Sequence, residues 1–177
     1  GLNGEKSLYG TGVKFANVMD VFRGPRLMQA DITGSMQVTD RQLQEYGLAR
    51  GDVLFNRTSE TDDEIAMASV FMDDQPAVFG GFVIRARPLG NRLTPDFCTY
   101  AFQINDIRRE LIKRGQGAVR ANIGQKDLAE VLIKFPPPRE QRQIASALEP
   151  WVRAIKTVEA LIANARTQKQ ALMQQLL

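Results

Sequence analysis

Histidine is absent from all 177 residues, and cysteine occurs once, at Cys98. Without imidazole there is no Ser-His-Asp triad, no Cys-His pair and no His-bearing metal site. One cysteine excludes an internal disulfide framework and fits a reducing compartment, so a cytoplasmic address is expected. Nothing in the chain approaches the ~20 apolar residues that span a bilayer, and no signal-type segment opens it, so no membrane contact is expected. The string Gly-x-x-x-x-Gly-Lys-Ser/Thr is missing, which removes the common ATP-binding loop. Gly115-x-Gly117 follows a helical pattern instead of a strand and lacks a third glycine. Phe135-Pro136-Pro137 has a ring where an amino-methyltransferase loop needs an amide or carboxylate, and Asp62-Asp63-Glu64 lacks the Glu-x-Lys of a nuclease metal site. Cys98, between Phe97 and Tyr100, reads as a small buried hydrophobe. No catalytic constellation emerges.

What is present begins with charge. The net charge of +3 arises entirely beyond residue 138, where six basic residues face three acids; residues 1–138 balance 17 against 17. Within that neutral part, residues 85–126 hold nine Arg or Lys against three acids, and 60–74 holds six acids and no base. One basic and one acidic surface are expected. An Arg-rich patch is the footprint of phosphate binding, although solvated surface charge would produce the same count.

Residues 1–50 are broken by Gly and Pro into short elements, with Val13–Val21 a candidate strand and Thr39 a cap for a helix over Arg41–Tyr46. Gly51-Asp52 turns the chain into a buried strand, Val53-Leu54-Phe55, which stops at the polar loop Asn56-Arg57-Thr58-Ser59. Alternation predicts strands over Ala66–Met72 and Ala77–Arg87. Pro95 at the first helical position, after Thr94, opens a helix through Ile104. A second helix covers Asp106–Arg114, then come the loop 115–122, one turn over Gln125–Glu130 with Asn122 as its cap, and a last strand Val131–Phe135 ended by Pro136-Pro137-Pro138. The opening Gly1-Leu2-Asn3-Gly4 reads as the middle of a turn, with residues, including a first strand, expected upstream. The chain is expected to be α+β: a mixed α/β globular domain over 1–137, then a long coiled-coil helix over 138–177.

That tail is the strongest pattern. Ile144, Leu148, Trp151, Ile155, Val158, Ile162, Leu172 and Leu176 recur in four-three alternation, with Lys169 on the same stripe. A 3.5-residue period keeps one narrow stripe facing a partner helix. From Arg139 to Leu177 the rod would be roughly 55–60 Å long, too long to dock on its own domain. Pairing is therefore expected, with Pro150 interrupting or kinking the helix.

Three segments carry a resemblance: Gly51-Asp52-Val53-Leu54-Phe55-Asn56-Arg57-Thr58-Ser59; the run Gly117 to Leu128; and Ile133 to Ile144, containing Pro136-Pro137-Pro138-Arg139-Glu140-Gln141. In order and spacing the chain resembles the target recognition domain and following helix of specificity subunits from type I restriction-modification systems. Family members usually carry two such domains and two helices, so one of each implies a half-subunit or a fragment. The resemblance implies a non-catalytic module that reads one half of a bipartite site in double-stranded DNA. It also implies docking to modification (methyltransferase) subunits and, through them, to a restriction subunit, with S-adenosylmethionine, ATP and Mg²⁺ belonging to those partners. The helix would pair with a second copy or with the second half of the same subunit.

Arg57, flanked by Asn56 and Thr58, offers a guanidinium able to take a guanine edge or clamp a phosphate; a structural ion pair is the competing reading. Arg85, Arg87, Lys113, Arg114, Gln116 and Arg120 complete the candidate DNA-binding set. The rival reading is a coiled-coil assembly or adaptor protein that binds no DNA.

Overall fold

The computed structural model describes residues 1–115 and 121–175. Two small sheets share a core. In the first, β1 (Tyr9–Ala16) pairs antiparallel with β3 (Ser35–Met36) and parallel with β7 (Ala77–Phe79). In the second the order is β2 (Arg26–Leu27), β6 (Ala68–Phe71), β4 (Val53–Asn56) and β8 (Val83–Ala86), with β2 parallel to β6 and the other pairs antiparallel. A third, two-stranded ladder joins β5 (Thr58–Ser59) to β9 (Ala121–Asn122). The helices are α1 (Val18–Phe22), α2 (Asp40–Tyr46), α3 (Pro95–Ala101), α4 (Asn105–Ile112), α5 (Gln125–Ala129) and α6 (Pro138–Gln175).

Side-chain alternation sorts the core into layers. Leu54, Phe71, Ala77, Phe79 and Val83 meet between the two sheets. Phe15, Met36 and Val78 face outward from the first sheet, where Leu43 and Tyr46 of α2 pack on them. Val53, Phe55, Val70 and Ile84 face the other way, onto Cys98 and Phe102 of the α3 region and Leu111 of α4. With both faces covered, β4 and β6 are buried at every position. Edge-to-face rings at 5.3–6.1 Å run from Phe55 through Phe102 and Phe135 to Phe97. The fold is α+β, with a long C-terminal helix.

Several expected elements change. The strand over Val13–Val21 ends at Ala16 because Asn17 caps α1: its Oδ1 accepts from the Met19 N–H at 2.8 Å, and its own N–H donates to Asp20 at 2.9 Å. The strand over Ala77–Arg87 is two strands in different sheets. Between them the Val83 N–H closes a turn onto the Gly80 carbonyl at 3.0 Å, and a Cβ on Gly80 would lie 2.8 Å from the Phe15 ring. The helix expected through Ile104 ends at Ala101, and the one expected over Asp106–Arg114 runs Asn105–Ile112. Residues 131–135 form no ladder: Val131, Ile133 and Phe135 pack on the core while Leu132 and Lys134 are exposed, so alternation appears without a strand partner. Asn122 belongs to β9, and the turn after it is opened by the Gly124 N–H donating to Asp127 at 3.1 Å.

The junction between body and rod rests on Gln141, which is fully buried. Its Oε1 accepts from the Thr94 N–H, and its Nε2 donates to the Arg92 and Pro136 carbonyls, all at 2.8 Å. Two turns further on, Glu149 accepts from Arg26 at 3.3 Å and from the Tyr100 hydroxyl at 3.0 Å. The helix continues through Pro150, contrary to the expected interruption. Pro150 withholds one hydrogen bond, to the Ser146 carbonyl, and at an exposed position water can satisfy that oxygen. Residues 153–174 are all exposed; as far as Glu159 they line a groove with Arg23, Gly24 and Pro25 of the body, and roughly 22 Å of helix continues beyond it.

Truncation of Gln141 to Ala strips three partly buried backbone groups of their partner. It should cost about 2–4 kcal/mol in thermal or denaturant unfolding, whereas Gln143→Ala, on the exposed face, should stay within about 0.5 kcal/mol. Burial pushes the Cys98 thiol up to about 11. At about pH 8 a thiol reagent should therefore label Cys98 only as fast as the body opens, with full labelling on addition of denaturant.

Candidate nucleic-acid interface

Motif residues expected near a ligand divide into those that build the fold and those left facing solvent. Asp52 belongs to the first group. Its carboxylate is buried, accepts both Nε (2.7 Å) and Nη2 (2.6 Å) of Arg87, and takes the Ala49 N–H at 2.8 Å. That hydrogen bond holds the Arg87 guanidinium above its ordinary range. Gly51 has φ of +93°, and a Cβ there would come within 3.0 Å of Pro95. The Gly-Asp pair thus closes the turn into β4 and secures the edge strand β8.

Arg85, in the candidate DNA-binding set, donates to the Gly47 carbonyl at 2.7 Å and lies 5.1 Å above the Phe79 ring. With Arg87 forked onto Asp52, both guanidinium groups have partners within the body. Lys113 and Arg114, at the end of α4, meet Glu110 at 2.5 Å and Glu130 at 2.6 Å. Arg108, from the same stretch, donates to the carbonyls of Asp63, Ile65 and Ala66 at 2.6–2.8 Å. Its burial lowers its basicity, against the opposing pull of Asp63. Of the basic stretch, only Arg108 reaches the acidic stretch, through backbone carbonyls, while Arg87, Arg109, Lys113 and Arg114 pair with Asp52, Asp106, Glu110 and Glu130 elsewhere.

Arg57 is different. It follows β4, where its N–H donates to the Phe82 carbonyl and its carbonyl accepts from the Ile123 N–H, both at 2.9 Å. The backbone is thus fixed on both sides. The side chain is exposed and has no hydrogen bond or ion pair among the described residues. The structural ion pair weighed for it is not among the described contacts. Asn56, beside it, is fully buried, with Nδ2 reaching only the Thr58 carbonyl at 3.4 Å. Thr58 is half-buried and donates to Asn122 Oδ1 at 2.7 Å across the β5–β9 ladder. This ladder, missed by reading 56–59 as a loop, brings the segment after β4 against the segment that follows residues 116–120. Gln116 and Arg120 lie outside the described residues. Burial first, then the charges of Arg85 and Arg57, hold the Gly1 ammonium below its ordinary range, against the opposing pull of Glu45.

The apolar stripe on α6 is open. Trp151 is 71%, Ile155 58%, Val158 54%, Ile162 46% and Leu172 60% exposed, and Ile144 and Leu148 are at the threshold of exposure; Leu176 is outside the described residues. The helix docks on the body through Gln141, Ala145, Glu149 and Val152 instead, a separate face of the same cylinder. Sequence reading identified the stripe but missed the docking face, whose only apolar members are small or half-buried.

Comparison with known proteins agrees with this arrangement. The family model of the type I restriction modification DNA specificity domain matches residues 12–165. The chain is 26% identical over 153 residues to a protein named as the type I restriction enzyme MjaX specificity subunit of Methanocaldococcus jannaschii, covering 82% of this chain and 35% of that one. It is 24% identical to the EcoKI specificity subunit of Escherichia coli, covering all of this chain and 38% of the relative. Among solved structures it is similar to a chain of a type I R-M system studied for complex assembly and conformational transition (TM-score 0.65, 20% identity, 97% of this chain and 40% of that one). It is also similar to the HsdS subunit from Thermoanaerobacter tengcongensis (TM-score 0.58, 18% identity, 94% and 41%). The chain spans somewhat over a third of the length of these relatives. With the family model covering most of its length, and with the sheets, the Gly-Asp turn and the Gln141 junction in place, the chain belongs to the family of type I restriction modification DNA specificity domains.

Proposed function

We propose that this chain is a non-catalytic recognition module that reads one half of a bipartite site in double-stranded DNA. The observation that carries the reading is Arg57: an exposed guanidinium with no hydrogen bond or ion pair among the described residues, on a backbone pinned from two sides. An arginine of this kind suits a guanine edge or a phosphate, because its planar fork matches either bidentately and its backbone position is already set. Methyl transfer and cleavage belong to modification and restriction subunits that this module docks, and S-adenosylmethionine, ATP and Mg²⁺ are bound there. Arg85 and Arg87 serve by holding the sheet edge that carries Arg57, and Lys113 and Arg114 lie within reach of DNA only by exchanging their carboxylate partners for phosphates.

The open stripe of α6 pairs with a like helix, supplied by a second copy or by the second half of a longer subunit. Covering it withdraws several hundred Å² of apolar surface per chain, worth on the order of 10 kcal/mol before ordering costs. An antiparallel pair would place two recognition bodies at opposite ends of the rod. Lys169 would lie near an open end, where its ammonium reaches water.

Two outcomes test this reading. Assembled with modification subunits, the Arg57→Ala variant should bind DNA more weakly and lose about one unit of the log-log salt slope; full affinity with an unchanged slope would remove Arg57 from the interface. In light scattering at tens of micromolar, the wild-type chain should be dimeric and the Ile155→Asp, Ile162→Asp double variant monomeric. A monomeric wild type would assign the stripe to a helix of a modification subunit or to the second half of a longer subunit.

A further inference from the structure

We infer that Phe82 is a base-contacting residue that works as a pair with Arg57, its ring pressed as an apolar wedge against a base step of duplex DNA. This inference rests on the DNA-reading function proposed above. The β4–β8 register runs Val53↔Ala86, Leu54↔Arg85, Phe55↔Ile84 and Asn56↔Val83. One further step sets Arg57 opposite Phe82, and the hydrogen bond from the Arg57 N–H to the Phe82 carbonyl at 2.9 Å shows that this step is made. Paired residues of an antiparallel ladder project on the same side with their Cβ atoms ~5 Å apart. A guanidinium with no hydrogen bond or ion pair among the described residues and an exposed aromatic ring therefore occupy facing positions at the end of the β4–β8 ladder.

Phe82 is 66% exposed, the most exposed aromatic ring of the body among the described residues. It cannot turn inward by a change of backbone, because its turn is held on every side. The Gly80 N–H donates to the Ala16 carbonyl at 2.9 Å, the Gly81 N–H to the Leu2 carbonyl at 3.0 Å, and the Val83 N–H to the Gly80 carbonyl at 3.0 Å. Built Cβ atoms at Gly80 and Gly81 would run into the Phe15 ring at 2.8 Å and the Asn3 side chain at 2.6 Å, so the two residues before Phe82 are packed tightly beneath the turn. The core gains nothing from this ring. Duplex DNA offers what the pair lacks: anionic phosphates and base edges for the guanidinium, and beside them a base face or step for an apolar ring. An anionic protein surface would satisfy Arg57 but would leave the ring no comparable flat apolar partner.

The chain assembled with its modification subunits, used to enrich duplexes from a random pool, supplies the test. On an enriched duplex Phe82→Ala should weaken binding about 10- to 100-fold, with the salt slope unchanged, because no phosphate contact is lost. Phe82→Trp should bind within about threefold of wild type, and Phe82→Leu, which keeps apolar bulk but loses the ring's stacking face, should fall between wild type and Ala. In duplexes carrying 2-aminopurine at successive positions, one position should brighten with wild type and stay quenched with Phe82→Ala. The thermal midpoints of the variants should match wild type, as expected for an exposed side chain. If no duplex is enriched, the DNA-reading function fails and the wedge with it. If duplexes are enriched but Phe82→Ala binds them like wild type, or if it instead loses its modification subunits, DNA reading stands and the wedge is overturned.

Discussion

A glutamine side chain has one carbonyl oxygen and two amide protons to place, and at position 141 all three are used on backbone groups that have no other partner among the described residues. The acceptors and donors come from the approach to α3 and from the triple proline, so one side chain ties together the body, the connecting segment and the start of a 38-residue helix. In a buried setting these bonds are costly to leave unmade and have no water to replace them. The direction of the rod depends on that geometry. Glu149, held by Arg26 and Tyr100, supplies a second point of attachment two turns along, and two points on one face determine a line. Beyond them the helix leaves the body with its apolar stripe on a different face, free for a partner.

The same division of labour runs through the Gly-Asp turn. Gly51 supplies a left-handed backbone, and Asp52 gathers the Ala49 N–H and the forked guanidinium of Arg87. These motif residues hold the turn and the edge strand β8, as their reading as a turn before a buried strand implies. What they hold in place is Arg57, with Phe82 across the ladder from it. The segments that mark the family are in this sense mostly architectural, and the proposed reading surface is the part left over once the architecture has taken its partners.

How much of this the sequence disclosed follows from the range of each interaction. Local signals were legible: Thr39 capping α2, Pro95 opening α3, the turn at Gly51, and the stripe on α6, all of which depend on neighbours within a few residues. Signals that require a distant partner were not. Period-two alternation continues smoothly from Ala77 to Arg87 although the chain changes sheet at Gly80, because alternation records facing and not pairing. Val131–Phe135 alternates for the same reason without joining a sheet. Thr58–Ser59 looks like a loop because a two-residue strand is visible only once its partner at Ala121–Asn122 is known. In the candidate site, the types of residue were readable but their availability was not. Arg57, Arg85 and Arg87 are alike in sequence, and only the positions of Asp52, Gly47 and Phe79 reveal which of them is free. Phe82 passed unnoticed as one more residue of an alternating strand.

The central claim is that a body with a fixed reading edge is set at a fixed angle to a helix that pairs with its own kind. Selection from a random duplex pool by this chain assembled with modification subunits tests it most directly. Two-fold pairing of identical bodies predicts that enriched duplexes carry one short motif twice, in inverted orientation and at a constant spacing. Enrichment of a single unrepeated motif, or of inverted motifs at variable spacing, would contradict the account.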